Sequence, residues 1–317
     1  MKSRAWLSVM IAAVLVASAG AGCPRAFSRY TPQGPRVLPA VPSLDDVTRA
    51  VNGNTSRVLS LHSTDATINA PWTPPLKASI AVDRPRRLRV RAETSLTGPE
   101  VDLGSNDQLF WVWVKRMQPP TVMFCRHEQY HASAARQILP IEPDWVIEAL
   151  GLPTFDPAAQ HTGPVMVRGN RLEIRTVRNG PEGPVIKATV VDAANAWVYE
   201  QHVYDAHGNR LASALASQHT RDPATGIVLP RRVEFQIPAT QTKFTLNLGN
   251  VQINQLDPAT ALFDMPSYPG AAVIDLADPN VRPNPAFTSA PNQRPATSTS
   301  DTTPVADERP RRRFLFR

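Results

Sequence analysis

Residues 101–114, VDLGSNDQLFWVWV, carry the signal that decides the fold of this chain. Because successive side chains of a strand point to opposite faces, Phe110 and Val112 share one face, and Trp111 and Trp113 share the other. Antiparallel sheets usually bury one face and expose the other to water. A strand that is apolar on both faces therefore predicts that a second element covers the sheet at this point.

A long series of predicted strands surrounds this stretch. Between residues 57 and 248, apolar segments separated by turn residues predict about a dozen strands. The turns are short, as at residues 83–85 (Asp-Arg-Pro) and 207–209 (His-Gly-Asn). Strands and helices do not alternate, which favours an antiparallel meander of the mainly β class. In residues 87–91, arginines alternate with apolar residues, which predicts a face exposed to water.

Two helical segments are predicted beside the strands. Ser43 and Asp46 form a weak capping-box pattern at the start of the domain. A second helical region spans residues 128–151 and is divided by prolines. Its second half begins at a capping Asp144 and ends at Gly151. This short, apolar helix interrupts the meander, so it needs an apolar sheet face to lie on.

The first 22 residues have the features of a secretory signal. Lys2 and Arg4 precede an apolar run that ends in small residues just before Cys23. The arrangement resembles a bacterial lipobox, in which the cysteine receives acyl chains such as palmitate and becomes the mature N-terminus. It implies a lipoprotein signal peptide at 1–22 and a membrane anchor at Cys23; the alternative is an ordinary cleaved signal followed by a cysteine that is not lipidated. The other cysteine, Cys125, then has no disulfide partner.

Composition divides the remaining chain into three parts. Residues 23–42 are rich in proline and predict an extended linker, and residues 43–268 form the predicted folded domain. Residues 269–317 lack apolar periodicity and predict a disordered Pro/Ser/Thr-rich tail. The basic cluster at 309–317 predicts either a solvated end or a contact with anionic lipid or cell-wall polymer. The formal net charge of +7 is spread along the chain, and no nucleic-acid partner is predicted.

The order of these elements resembles the LolA/LolB lipoprotein-carrier superfamily over residues 43–268. Residues 98–114 resemble the central hairpin of that family, where a strand ends in a polar turn before an aromatic-rich strand. The resemblance implies a strongly curved antiparallel half-barrel of about 11 strands with short helices covering its concave face. It also implies an apolar cavity for acyl chains. The lipobox is typical of the LolB type, which implies an anchored outer-membrane protein facing the periplasm.

Six apolar residues are candidates for the wall and lid of such a cavity. Their ligand would be an acyl chain or the acyl groups of a lipoprotein, and neither a cofactor nor catalysis is implied. The alternative is a filled core, in which case the chain would be a structural or scaffolding lipoprotein. The candidates are Phe110, Trp111, Trp113, Trp145, Ile147 and Leu150.

One motif points to a different class of function. The segment His127-Glu128-Gln129-Tyr130-His131 matches H-E-x-x-H, in which two histidines bind zinc and the glutamate acts as a base. The motif directly follows a predicted strand, and Glu148 is only a loose candidate for the third ligand. A zinc hydrolase is therefore retained as an alternative to the non-enzymatic interpretation.

Overall fold

The computed structural model describes residues 36–71, 73–133, 135–138, 141–180, 183–257 and 261–281. The predicted signal peptide, Cys23, the linker up to residue 35 and the tail from residue 282 lie outside the described residues. Within the described ranges, no helix combines the length and the hydropathy that a bilayer-spanning segment needs.

Strands that follow one another along the chain form most of the described structure, as the pattern of turns predicts. Their bounds are β1 Ser60–Asn69, β2 Leu76–Asp83, β3 Arg87–Thr94, β4 Gly98–Ser105, β5 Leu109–Val114, β6 Thr121–Arg126, β7 Gln160–Val167, β8 Arg171–Gly180, β9 Gly183–Asp192, β10 Val198–Tyr204, β11 Arg210–Ser217, β12 Thr220–Arg221, β13 Val228–Leu229, β14 Arg232–Ile237, β15 Thr242–Asn247, β16 Gln252–Ile253 and β17 Ala272–Asp275.

One sheet contains 15 of these strands, in the order β17-β6-β5-β4-β3-β2-β1-β15-β14-β11-β10-β9-β8-β7, with β16 also paired to β1. All its pairs are antiparallel except β17 with β6. The mainly β class and the meander are confirmed, and the 15-stranded sheet has more strands than the dozen expected from the turns or the eleven implied by the resemblance. Strand β7 escaped prediction because it is an edge strand without a fully buried residue, and it contains Pro164, which edge strands tolerate.

The helices are short, and those at 44–55 and between 127 and 149 lie where the sequence predicts them. They are α1 (Leu44–Thr55), a 3-10 helix (His127–Ala132), α2 (Ala135–Ile138) and α3 (Pro143–Ala149), with further 3-10 turns at Pro238–Thr240 and Ala261–Phe263. The capping box is confirmed, since the Asp46 amide donates to Ser43 Oγ and the Ser43 amide donates to the Asp46 carboxylate. The prediction that Asp144 caps the helix is wrong, because Glu142 is the N-cap of α3 and Pro143 occupies the first helical position.

The folded domain extends beyond its predicted limits of 43 and 268. At the N-terminal side, Leu38 is buried against α1, and its amide donates to the Ala194 carbonyl at 2.9 Å. At the C-terminal side, β17 adds a strand to the sheet and Leu276 is buried after it. Both apolar segments are short and lie within proline-rich regions, so the sequence pattern does not predict that they belong to the folded domain.

The sheet curves around α3. In a flat sheet, β3 and β9 would lie about 34 Å apart, since seven strand spacings separate them. Helix α3 is only about 10 Å long, yet its Asp144 binds Arg86, the residue before β3, and its Glu148 binds Lys187 on β9. The sheet therefore wraps around the helix as a half-barrel, and β7 and β17 remain its unjoined edges among the described strands. We call the face that carries the helices the inner face.

Both faces of β5 are covered, by different parts of the chain. On the inner face, Phe110 packs edge-to-face with Tyr130 of the 3-10 helix, with ring centroids 5.7 Å apart. On the outer face, Trp113 stacks on Tyr268 with ring centroids 3.9 Å apart and planes 5° apart. The prediction of a second covering element is thus confirmed, and that element is the C-terminal segment 262–271.

Gly104 makes room for the buried indole of Trp111. The two residues are opposite each other on β4 and β5, and a Cβ at Gly104 would lie 2.1 Å from Trp111 Cζ2. Gly104→Ala is expected to lower the free energy of unfolding by about 2–3 kcal/mol, because the fully buried indole must shift. Urea denaturation measures this change. Gly53→Ala in α1, where a Cβ would meet nothing within 4 Å, is the matched control and is expected to be neutral or stabilising.

Candidate ligand-binding cavity

The inner face encloses a cavity of about 400 Å³ at one end of the half-barrel. One wall consists of the hairpins β8–β9 and β10–β11, and the other consists of the 3-10 helix at 127–132, α2 and α3. We call this space the inner cavity. It is the region that a helical insertion over a curved sheet creates when the helices do not fill the concave side completely.

Apolar side chains form a continuous strip along the inner cavity. Val203 is paired with Lys187 on β9 and with Ala212 on β11, so three neighbouring strands contribute at one level. Trp145 of α3 lies opposite, packs edge-to-face on Phe235 with ring centroids 6.1 Å apart, and is 7% exposed. The residues of this strip are Ile141, Trp145, Val185, Val203, Leu211 and Ala212.

Charged groups accompany this strip. Lys187 Nζ donates to Glu148 Oε2 at 2.5 Å, and Arg178 Nη2 lies 3.8 Å from the other oxygen of the same carboxylate. The backbone carbonyl of Glu148 accepts a hydrogen bond from Gln201 Nε2 at 2.7 Å. Burial lowers the pKa of the Arg84 guanidinium, and attraction to Glu148 partly offsets this effect. Glu148 therefore anchors α3 to the sheet through several cationic and polar side chains.

Of the six predicted residues, only Trp145 lines the inner cavity. Ile147 and Leu150 are buried in the core cluster between α3 and the sheet, where they help to hold the helix in place. Phe110 lies on the inner face but belongs to a separate cluster under the 3-10 helix and α2. These three residues fill core, as the alternative interpretation in the sequence expects.

Trp111 and Trp113 do not line the inner cavity, contrary to the prediction, because they lie on the outer face. The residues that cover them, Met265 and Tyr268, come from a segment more than 150 positions away in the sequence. An odd-numbered residue of β5 cannot share a face with Phe110, and the register of β3 to β5 places the inner face on the Phe110 side.

An ion pair on the outer face holds the covering segment. Arg89, predicted to face water, is 8% exposed, and its Nε and Nη2 donate to the fully buried Asp102 carboxylate at 2.6 and 2.5 Å. Its Nη1 donates to the carbonyls of Leu262 and Asp264. Tyr268 donates to Asp102 at 2.6 Å, and burial together with this hydrogen bond raises the pKa of Tyr268 to about 12.

The H-E-x-x-H segment does not form the geometry that zinc chemistry needs. It lies in a 3-10 helix, where residues four apart point about 120° away from each other. His127 Nε2 bonds to the Asn106 carbonyl at 2.9 Å and burial lowers the pKa of this imidazole, whereas His131 pairs with Glu142 at 3.0 Å. Among the described residues, no group of three His, Cys, Asp or Glu side chains is placed to hold a metal ion.

The charged residues of the inner cavity were not predicted from the sequence. Lys187 lies inside the apolar segment at 185–191. Since an internal strand seldom carries a buried lysine without a partner, this position is the one local signal that could have indicated a functional or paired lysine. Its partner Glu148 is on a different element. Arg178 lies beside a turn, where a solvated arginine is the ordinary expectation.

No protein-family model matches the sequence, and no curated protein matches it. Similar solved structures include a LolA superfamily protein from Nitrosomonas europaea, at 10% identity and a TM-score of 0.43, covering 68% of this chain and 96% of that one. A DUF1329 family protein from Desulfovibrio piger has 10% identity and a TM-score of 0.45, with 67% and 92% coverage. A Vibrio parahaemolyticus domain described as an outer membrane lipoprotein-sorting protein has 10% identity and a TM-score of 0.45, with 67% and 94% coverage.

The superfamily that the sequence pattern resembles is therefore also found among the similar structures. At TM-scores below 0.5 these likenesses carry no function over to this chain.

Proposed function

We propose that this chain is an envelope lipoprotein whose half-barrel binds an acyl chain or another hydrophobic group in the inner cavity. The observation that carries the proposal is the apolar strip from Val203 and Ala212 to Trp145, inside a space of about 400 Å³. Ligand sites of small amphiphiles have volumes of about 300–1,000 Å³ and are lined mainly by apolar side chains with a few polar groups. The inner cavity meets the volume condition, and apolar residues form about half of its lining.

The position of the cavity also supports binding. The cavity is lined by two exposed residues, Pro184 at the start of β9 and Ala206 between β10 and β11, so it is open to solvent beside them. Its opposite wall consists of helices of four to seven residues. Helices this short are held by their packing and not by their own stability. A small displacement of this wall would enlarge the entrance.

The anchoring part of the proposal rests on the sequence. Lipidation at Cys23 would hold the chain at the membrane, since each buried CH₂ of an acyl chain contributes about 0.8 kcal/mol. The proline-rich linker would then hold the half-barrel away from the bilayer, at the periplasmic side of the outer membrane. The basic cluster at 309–317 would add a contact with anionic lipid or cell-wall polymer.

Native mass spectrometry of the full chain tests the binding proposal. Protein extracted from the producing bacterium and transferred to mild detergent is expected to carry an additional lipid-sized mass that collisional activation removes. The covalent acyl groups on Cys23 provide an internal comparison, because activation does not remove them. If repeated preparations of folded protein lack the removable mass, the result would contradict ligand binding in the cavity and favour the scaffolding alternative.

A further inference from the structure

A second cavity, of about 310 Å³, lies at the C-terminal end of α1. Its walls are the second half of that helix, the turn at 193–197 and the hairpin of β12 and β13. We call this space the α1 cavity. Strand β9 begins beside the inner cavity and ends just before this turn, so it spans about 30 Å between the two spaces at about 3.3 Å per residue. The two cavities therefore lie at opposite ends of the half-barrel.

The charge of the α1 cavity has one sign. Arg57 and Arg221 line it, and none of its described lining residues is an aspartate or a glutamate. The third titratable residue, His219, donates from Nε2 to the Val198 carbonyl at 2.8 Å. Burial lowers the pKa of this imidazole, so it is mainly uncharged at neutral pH. The described lining thus carries two positive charges.

The hydrogen bonds of both guanidinium groups leave their charge unbalanced. Arg57 donates to the carbonyls of Gly53 and Thr225, at 3.1 and 2.9 Å. Arg221 donates from Nη1 to the Gly226 carbonyl at 2.8 Å. These acceptors are neutral, and the end of α1 contributes at most about half a negative charge. That contribution is smaller than the two positive charges.

The carboxylates in the neighbouring turns do not line the cavity and are engaged elsewhere. Asp192 accepts hydrogen bonds from two amides of its own turn. Asp222 accepts hydrogen bonds from Thr225, and these bonds together with attraction to Arg231 hold its pKa below the usual value.

The chain that leads to the proposed membrane anchor enters the fold at this cavity. Val37 lines the cavity, and Arg36 is the first described residue. Residues 23–35 reach at most about 40 Å at about 3.1 Å per residue. They contain two arginines and no acidic residue. If Cys23 is lipidated, the head groups of the bilayer are within reach, and no carboxylate of the linker competes for the arginines.

Apolar and aromatic side chains beside the arginines are typical of a membrane-surface site. Val37 is 56% exposed, and Leu59, two positions after Arg57, is 66% exposed. Trp197 lines the cavity and stacks on His219, with ring centroids 5.7 Å apart. Tryptophan is enriched at membrane–water interfaces, and binding to anionic membranes combines apolar contact with attraction to basic side chains.

We infer that the α1 cavity binds the phosphate group of an anionic phospholipid, through Arg57 and Arg221, at the surface of the membrane that holds the anchor. The inference rests on the proposed anchoring at Cys23 and does not use the inner cavity. The linker sets the largest distance between the half-barrel and the bilayer, and this contact adds a docked position. In that position the inner cavity lies at the end of the half-barrel that is far from the bilayer.

Arg221→Gln is the informative substitution, because Arg221 is exposed and its described hydrogen bond is to one carbonyl. Arg210→Gln is the matched control. Arg210 is also exposed, lines neither cavity and begins β11 at the inner-cavity end of the sheet. Both variants lose one positive charge and keep the basic tail.

The first arm places the acylated protein in phosphatidylcholine vesicles, with or without phosphatidylglycerol, that contain a lipid with a spin-labelled head group. The signal is the quenching of Trp197, obtained by subtracting the same protein with Trp197→Phe. Quenching in the wild type is expected to be stronger with phosphatidylglycerol. In Arg221→Gln the ratio of docked to undocked protein is expected to fall roughly fivefold, the attraction of one arginine to an anionic surface. Arg210→Gln is expected to match the wild type, since about 30 Å exceeds the Debye length of about 10 Å.

The second arm titrates the protein in uncharged detergent with sn-glycerol 3-phosphate and follows Trp197 fluorescence. Binding that Arg221→Gln weakens, without an effect of phosphatidylglycerol in the first arm, would assign the cavity to a soluble phosphate and overturn the membrane contact. No response in either arm would overturn the site altogether. A phosphatidylglycerol effect that Arg221→Gln retains would assign the contact to the basic tail. Protein that does not stay on phosphatidylcholine vesicles would instead contradict the anchoring at Cys23, and the second arm would still decide the phosphate site.

Discussion

Val203→Trp is expected to weaken the binding of an acyl probe roughly seventyfold. Val203 lies at the middle of the apolar strip, between Lys187 and Ala212 on the neighbouring strands, so an indole at this position fills the space that the chain needs. If the indole displaces about 100 Å² of apolar contact, the loss at about 25 cal/mol per Å² is about 2.5 kcal/mol. Titration with cis-parinaric acid measures the dissociation constant.

The control for this substitution is Val165→Trp. Val165 is on the edge strand β7 and is 61% exposed, so the same change of side chain occurs far from the cavity. Its affinity for the probe is expected to match the wild type. Thermal unfolding of both variants checks that they fold. An unchanged dissociation constant in a folded Val203→Trp variant would contradict the placement of the ligand along this strip.

Asp102→Ala is expected to lower the free energy of unfolding by about 3–5 kcal/mol, which is the usual cost of removing one partner of a buried ion pair. The substitution leaves the Arg89 guanidinium buried without its carboxylate and also removes the acceptor of Tyr268. The segment at 262–271 would then lose its attachment, and the face of Trp111 and Trp113 would be exposed. Urea denaturation followed by tryptophan fluorescence measures both effects.

Asp107→Ala provides the comparison for this effect. Asp107 also pairs with an arginine, Arg87, at 2.5 Å, but its side chain is 57% exposed. An exposed pair contributes at most about 1 kcal/mol, so this variant is expected to stay close to the wild type. Similar losses in the two variants would show that burial of the Arg89–Asp102 pair does not hold the outer segment.

The fold was largely predictable because its signals are local. Alternating apolar residues predict most strands of the sheet, Ser43 and Asp46 predict the start of α1, and Gly151, with a φ of +97°, ends the second helical region as expected. The strand at 110–114, which is apolar on both faces, correctly predicts a covering element. The start of α3 was misassigned because Pro143 is a stronger signal for a first helical position than Asp144 is for a cap.

The candidate site was less predictable because its residues meet only in three dimensions. Lys187 and Glu148 are 39 positions apart on different elements, and no local pattern indicates that they pair. The same applies to Arg89, because the alternation of arginines with apolar residues around it predicts exposure to water. Its burial depends on carbonyls at Leu262 and Asp264, more than 170 positions away. Trp145 was found because a tryptophan in a short apolar helix must face the sheet.

Quenching of tryptophan fluorescence by a brominated fatty acid tests the central claim most directly, because bromine quenches an indole only on close contact. The wild type is expected to show saturable quenching, which Trp145→Phe largely removes and Trp111→Phe retains. Trp111 is the proper comparison, since it is fully buried on the outer face. No saturable quenching, or quenching that persists in Trp145→Phe and disappears in Trp111→Phe, would contradict a ligand in the inner cavity.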